Sequence, residues 1–115
     1  MTQHAHLDAD RWARFTLDQQ ILMIGNEMNR AMRLVGPADL ASLRRGYERV
    51  LRLVDLTAGA ASGLRLRREL LRWRELVAEL YVADHADEEA HRATFRALLQ
   101  MRPEAARQIP YLLGG

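Results

Sequence analysis

Apolar positions recur at alternating steps of three and four along most of the chain, the spacing that places them on one face of a helix. Between Thr16 and Val35 that face holds Leu17, Ile21, Ile24, Met28, Ala31 with Met32, and Val35. Thr16-Leu17-Asp18-Gln19 has the form of a capping box with Phe15 at the staple position, so the first long helix is predicted to start near Leu17. Gly36-Pro37 is its predicted end. A second helix runs from about Ala38 to Thr57 with Asp39 in its first turn, and its core face is Leu40, Leu43, Tyr47, Val50, Leu51, Val54 and Ala58. The short Gly36–Asp39 connection demands an antiparallel hairpin. Leu53 and Leu56 fall off that stripe and predict a second surface, covered by the C-terminal segment or by another subunit.

After the small linker Gly59-Ala60-Ala61-Ser62-Gly63, a third helix spans about Leu64 to Val82 and buries Leu66, Leu70, Trp73, Val77, Leu80 and Tyr81. A fourth begins at Ala86 or Asp87 and turns His91, Thr94, Phe95, Leu98 and Met101 inward, ending at Arg102-Pro103. Pro103-Glu104-Ala105-Ala106 opens one more short helix, closed near Ile109-Pro110, and Tyr111-Leu112-Leu113 is apolar enough to dock on the bundle or on a partner. Residues 1 to 9 have the character of a frayed end, and Asp8 or Asp10 would cap a short turn carrying Trp12 and Phe15 as a lid. No strand-like alternation and no repeat interrupts this pattern. The expected architecture is all-α, an antiparallel up-down four-helix bundle with short N-terminal and C-terminal helical additions, in one domain over residues 1–115.

Composition narrows the chemistry. The 115 residues include no Cys, which excludes disulfides, thiolate zinc sites and thiol nucleophiles. No apolar run approaches the roughly 18 residues of a membrane span, so the expectation is a cytoplasmic chain without membrane contact. All 17 basic residues are Arg, which codon bias explains as well as selection for bidentate guanidinium contacts does. The net charge of +2 is modest but unevenly placed. Nine Arg lie in residues 44–75, whereas residues 76–91 carry Glu79, Asp84, Asp87, Glu88 and Glu89 and no Arg. Along the third helix the charge runs from basic at the start to acidic at the end, against the helix dipole, a cost that fits charges placed for a partner.

Three blocks carry a family resemblance: Gln20…Ile24-Gly25-Asn26-Glu27-x-x-Arg30-Ala31, Glu48-Arg49…Leu53-x-Asp55-Leu56-Thr57 and Glu69-Leu70-x-Arg72-x-Arg74-Glu75. Over roughly residues 16 to 81 the chain resembles a family of small uncharacterised bacterial and archaeal helical proteins, departing from its pattern at Asn26, Met28 and Asn29. The resemblance implies a helical fold and no particular reaction.

Candidate chemistry is sparse. Glu88-x-x-His91 has the spacing of di-iron carboxylate bundles but no second such pair, so His91 is expected as a rim histidine held by Asp87. His4-Ala5-His6 is an incidental spacing, and no metal, cofactor or catalytic residue is expected. A charged constellation stands out instead: Glu27 and Arg30 on the first helix, Glu48 and Asp55 on the second, Arg72, Arg74 and Glu75 on the third. Its expected role is to fix helix register through partly buried ion pairs, with a phosphate or carboxylate pocket at Arg72 or Arg74 as the sharper reading. Arg45, Arg49, Arg52, Arg65 and Arg68, with Arg44, Arg67 and Arg72, cluster around the turn between the second and third helices and could meet nucleic-acid phosphates. No exposed aromatic is interleaved among them to stack on bases. The leading expectation is a non-enzymatic interaction module, a homo-oligomer through Leu53, Leu56 and Leu71 or through the C-terminal tail; the alternative is an Arg-rich protein binding RNA or DNA.

Overall fold

A capping box opens the first long helix of the chain. In the computed structural model, which describes residues 9–36 and 39–114, the Thr16 hydroxyl accepts from the Gln19 amide at 3.1 Å and the Gln19 side chain accepts from the Thr16 amide at 2.8 Å. Four long helices follow in order: α2 (Leu17–Met32), α3 (Leu40–Ala60), α4 (Leu64–Val82) and α5 (Glu88–Leu99). Short helices α1 (Ala9–Trp12), α6 (Pro103–Ala106) and α7 (Ile109–Leu113) flank them, and no strand occurs among the described residues.

Side-chain contacts give the register of each helix pair. Glu27 meets Arg49, and four residues later on α2 Ala31 meets Gly46, so α3 runs opposite to α2. Asp55 meets Arg74 and Glu48 meets Tyr81, which makes α4 antiparallel to α3 in the same way. Gly25 lies against Phe95 and Leu99 while Met28 bonds to His91, so α5 descends beside α2 and closes the square. The core along its axis is Ile21, Ile24, Met28, Leu43, Tyr47, Val50, Leu70, Trp73, Val77, Phe95, Leu98 and Leu99. This is the expected up-down bundle.

Several local features differ from the sequence expectation. α2 stops at Met32 because the amides of Leu34 and Val35 bond back three residues instead of four, a tightened turn that ends the helix before Gly36. Asp39 stands at the N-cap of α3 with no side-chain cap bond, so it does not lie within the first turn. Leu53 is buried: it shares with Gly46 the side of α3 that packs on α2, and Leu56 packs partly against the core. Leu53 is therefore not a surface for another subunit. Ile109-Pro110 opens α7 instead of closing the previous helix, since a proline in the first turn removes an amide that lacks a helical acceptor anyway. His4, His6 and Asp8, together with Pro37 and Ala38, lie outside the described residues.

Trp12 is a core residue and not a lid. It is fully buried, its indole N–H donates to Thr57 Oγ1 at 2.8 Å, and Phe15 meets it edge-on at 5.8 Å. Gln20, buried among apolar neighbours, satisfies the carbonyls of Trp12 and Phe15 with its amide at 3.2 and 3.0 Å. At the other end Leu113 is buried, Arg92 donates to its carbonyl, and Arg102 pairs with Asp18 at 2.8 Å, fastening the C-terminal helices to α2.

Gly25 packs against α5, and a methyl group there would sit 3.5 Å from Leu99 and Phe95, ordinary van der Waals distance. Gly25→Ala is expected to stabilise the fold by about 0.5–1 kcal/mol, because alanine lowers the entropy of the unfolded chain at a helical position without a clash. Urea denaturation of the two proteins measures this, and a lower midpoint for the variant would show that the contact is tighter than its distances indicate.

Candidate functional site

Two reactive side chains meet in the middle of the bundle. Tyr47 on α3 and His91 on α5 are both sealed from solvent, and the phenol oxygen lies 2.7 Å from His91 Nδ1. His91 Nε2 lies 2.9 Å from the Met28 carbonyl on α2. A carbonyl only accepts, so Nε2 carries the proton, Nδ1 of the neutral ring is an acceptor, and the Tyr47 hydroxyl donates to it. Burial lowers the His91 pKa from its ordinary value, the Met28 carbonyl opposing, while burial and then the charge of Asp87 raise that of Tyr47. Both groups are thus held neutral. His91 is not the expected rim histidine: Asp87 is occupied in capping α5 through the Ala90 amide at 3.0 Å. Glu88 is exposed, and no cluster of metal-ligating side chains occurs among the described residues.

The charged constellation separates into pieces. Glu27, at the border of the core, accepts from Arg49 Nε at 3.0 Å across the α2–α3 contact and pairs ionically with Arg30 at 3.4 Å along its own helix. Asp55 takes Arg74 in a two-point contact at 2.6 and 3.2 Å between α3 and α4, which raises the Arg74 pKa. Glu48 accepts from the Tyr81 hydroxyl at 2.8 Å and holds that phenol protonated to higher pH. Arg72 and Glu75 stand apart on the exposed side of α4, and neither makes an ion pair among the described residues. Glu27 and Arg72 therefore belong to no common network. Arg49, expected at a nucleic-acid surface, is instead the inter-helix partner of Glu27. Both members of the Glu27–Arg49 and Asp55–Arg74 pairs lie on the long helices α2, α3 and α4, so each pair ties two neighbouring helices together.

Several other arginines close helix ends. Arg44 donates to the carbonyls of Tyr81 and Ala83 at 3.2 and 2.7 Å, and Arg67 to those of Ala58 and Ala61 at 3.2 and 3.3 Å, placing positive charge on the carbonyl-rich ends of α4 and α3. Arg45 bonds to Ser42 at 2.8 Å on the surface, and Arg52 is exposed on the same helix. Three arginines of the expected basic cluster, Arg65, Arg68 and Arg72, line an open groove of about 480 Å³ with Leu64 and Glu69. Two further open grooves, of about 450 and 540 Å³, run between α4 and α5 on either side of Leu76 and are mainly apolar. No protein-family model, curated protein or solved structure matches the chain.

Sequence reasoning placed Tyr47 and His91 on core faces but did not join them. The available signal was a histidine flanked at helical spacing by Thr94, Phe95 and Leu98: an imidazole at the centre of an apolar stripe needs buried partners for both nitrogens.

Glu27→Gln is expected to cost about 1 kcal/mol in chemical denaturation, since it weakens a half-buried pair with Arg49. Unchanged stability with altered binding would assign the carboxylate to a ligand instead. For His91 the unfolded ring titrates near 6.5 and the folded ring lower, so below about pH 6.5 the unfolded chain holds more protons. Stability is then complete above that pH and declines as pH falls through it. For Tyr47 the folded phenol keeps its proton above pH 10, so stability is complete below about pH 10 and declines above. Denaturation from pH 5 to 11 is expected to show both limbs, the acidic one flattened in His91→Gln. Tyr47→Phe is expected to cost about 1–3 kcal/mol near neutrality by stranding Nδ1 without a donor.

Proposed function

We propose that the chain is a non-enzymatic helical interaction module of the cytoplasm that works by self-association. The observation that carries this reading is the distribution of exposed apolar side chains. Four large ones crowd onto α4, with Leu64 63%, Leu71 45%, Leu76 41% and Val82 69% exposed, on a helix whose opposite face already fills the core. Single exposed apolar residues are ordinary on any surface, but a helix apolar on both sides has a second surface to cover. The reactive groups give no competing site: Tyr47 and His91 are buried and bonded to each other, and the grooves beside Leu76 are mainly apolar. Of the oligomer contacts expected from the sequence, Leu71 remains exposed, and Tyr111 in the C-terminal tail is 83% exposed.

A second reading, phosphate binding by RNA or DNA, is favoured by one observation, the alignment of Arg65, Arg68 and Arg72 along a single groove. It requires retention that falls steeply with salt. Sedimentation velocity between about 1 and 500 µM is the test of self-association: a single-helix contact buries less than the roughly 800 Å² per partner of a standard interface, so association in the upper part of that range is expected. A strict monomer throughout, with nucleic acid retained at low salt, would transfer the function to the second reading.

A further inference from the structure

We propose that two copies associate through the outer face of α4, antiparallel and about a two-fold axis, a contact that rests on the self-association reading above. Leu64, Arg68, Leu71, Glu75, Ala78 and Val82 recur at alternating steps of four and three, the spacing of a coiled-coil seam. At about 100° per residue Leu64, Leu71, Ala78 and Val82 fall within about 40° of one another on the helix surface. Ala78 is half-buried and the other five seam residues are exposed, so no described element of the chain lies on the seam. α4 therefore carries two apolar stripes: Leu70, Trp73 and Val77 are spent on the bundle core, and the second is unpartnered.

Charge selects the occupant and its direction. Beside the seam the N-terminal half of α4 presents Arg65, Arg68 and Arg72, and the C-terminal half Glu75 and Glu79, all exposed and without ion pairs among the described residues. A parallel pair of such helices would set arginine against arginine. In the antiparallel pair that lays Leu64 over Val82 of the second copy, Arg65 and Arg68 face the Glu79 of that copy and Arg72 faces its Glu75. Each contact occurs twice, as a two-fold requires. The same arrangement sets opposed helix dipoles side by side and offsets the unfavourable charge order within each α4. A nucleic acid would match only the basic half, with Glu69, Glu75 and Glu79 repelling its phosphates.

The test uses the absence of cysteine from the chain. Leu64 and Val82 lie about 27 Å apart along α4 at about 1.5 Å per residue. Leu64→Cys mixed with Val82→Cys is expected to cross-link into a dimer on oxidation or with a short bis-maleimide, and Leu64→Cys alone is expected to stay uncross-linked. Arg68→Glu with Arg72→Glu is expected to weaken self-association about tenfold or more, with the far-ultraviolet circular dichroism of the wild type. Adding Glu75→Arg and Glu79→Arg to that double variant is expected to restore self-association but exclude mixing with wild type, because like charges then face each other. If the wild type stays monomeric, this contact and the self-association reading fall together. If it associates while Leu64→Cys cross-links to itself, or while the fourfold variant mixes with wild type, the antiparallel contact alone falls. Nucleic-acid retention abolished by Arg68→Glu with Arg72→Glu, without any dimer, would assign the arginines to phosphates.

Discussion

The bundle depends on how it satisfies polar atoms that it buries, and the Tyr47–His91–Met28 chain is where that constraint is tightest. A phenol and an imidazole lie at the centre of the core, and each unmade hydrogen bond there would cost about 1–3 kcal/mol. The structure avoids that cost with one directed chain, hydroxyl to Nδ1 and Nε2 to carbonyl, which draws α2, α3 and α5 to a common height. A slip of one residue along α5 would turn the ring by about 100° and break both bonds at once. Apolar packing tolerates such slips far better than hydrogen bonds do, so the polar chain supplies the uniqueness that leucines alone would not. The indoles obey the same rule, Trp12 donating to Thr57 and Trp73 to the Thr94 carbonyl at 2.7 Å.

Charged pairs at the border of the core extend this registration outward. Glu27 with Arg49 fixes α2 against α3, and Asp55 with Arg74 fixes α3 against α4, each at a height consistent with the neighbouring contacts. Their exposure differs and so does their weight. The Glu27 carboxylate is only 14% exposed, whereas Asp55 is 51% exposed and screened by water. The Glu27 pair thus bears on stability more than the geometrically better Asp55 pair does.

Legibility in the sequence followed the range of the deciding interaction. The start of α2 and the limits of α4 were readable because capping boxes, glycine linkers and apolar periodicity act within a few residues. The end of α2 was not, because Gly36 advertised a stop that a tightened turn at Arg33 and Leu34 reached first. Leu53 falls off a stripe centred on Leu43 and Val54 yet is buried, because α3 buries a wider arc between α2 and α4. The periodicity puts His91 on the face that the structure buries, but does not show its partners, which lie 44 and 63 residues away in sequence. Of the charged candidates, Glu27, Glu48, Asp55 and Arg74 bond across helices to partners that also lie far away in sequence, whereas Arg30 pairs along its own helix and Arg72 and Glu75 make no ion pair among the described residues.

An arginine-rich chain invites a nucleic-acid interpretation, and the uses of its arginines weaken it. Arg44, Arg67 and Arg92 neutralise helix C-termini; Arg49, Arg74 and Arg102 pair with carboxylates on other helices. These guanidinia are spent on the fold, where their forked geometry lets one side chain satisfy two carbonyls or both oxygens of a carboxylate. The exception is α4, whose unpaired charges run against its own dipole and so oppose the helix that carries them. An arrangement that is unfavourable within one chain becomes favourable when a reversed copy lies beside it, because Arg65, Arg68 and Arg72 then gain acidic neighbours. That reversal of sign, more than the apolar area, is what distinguishes this face from the rest of the surface.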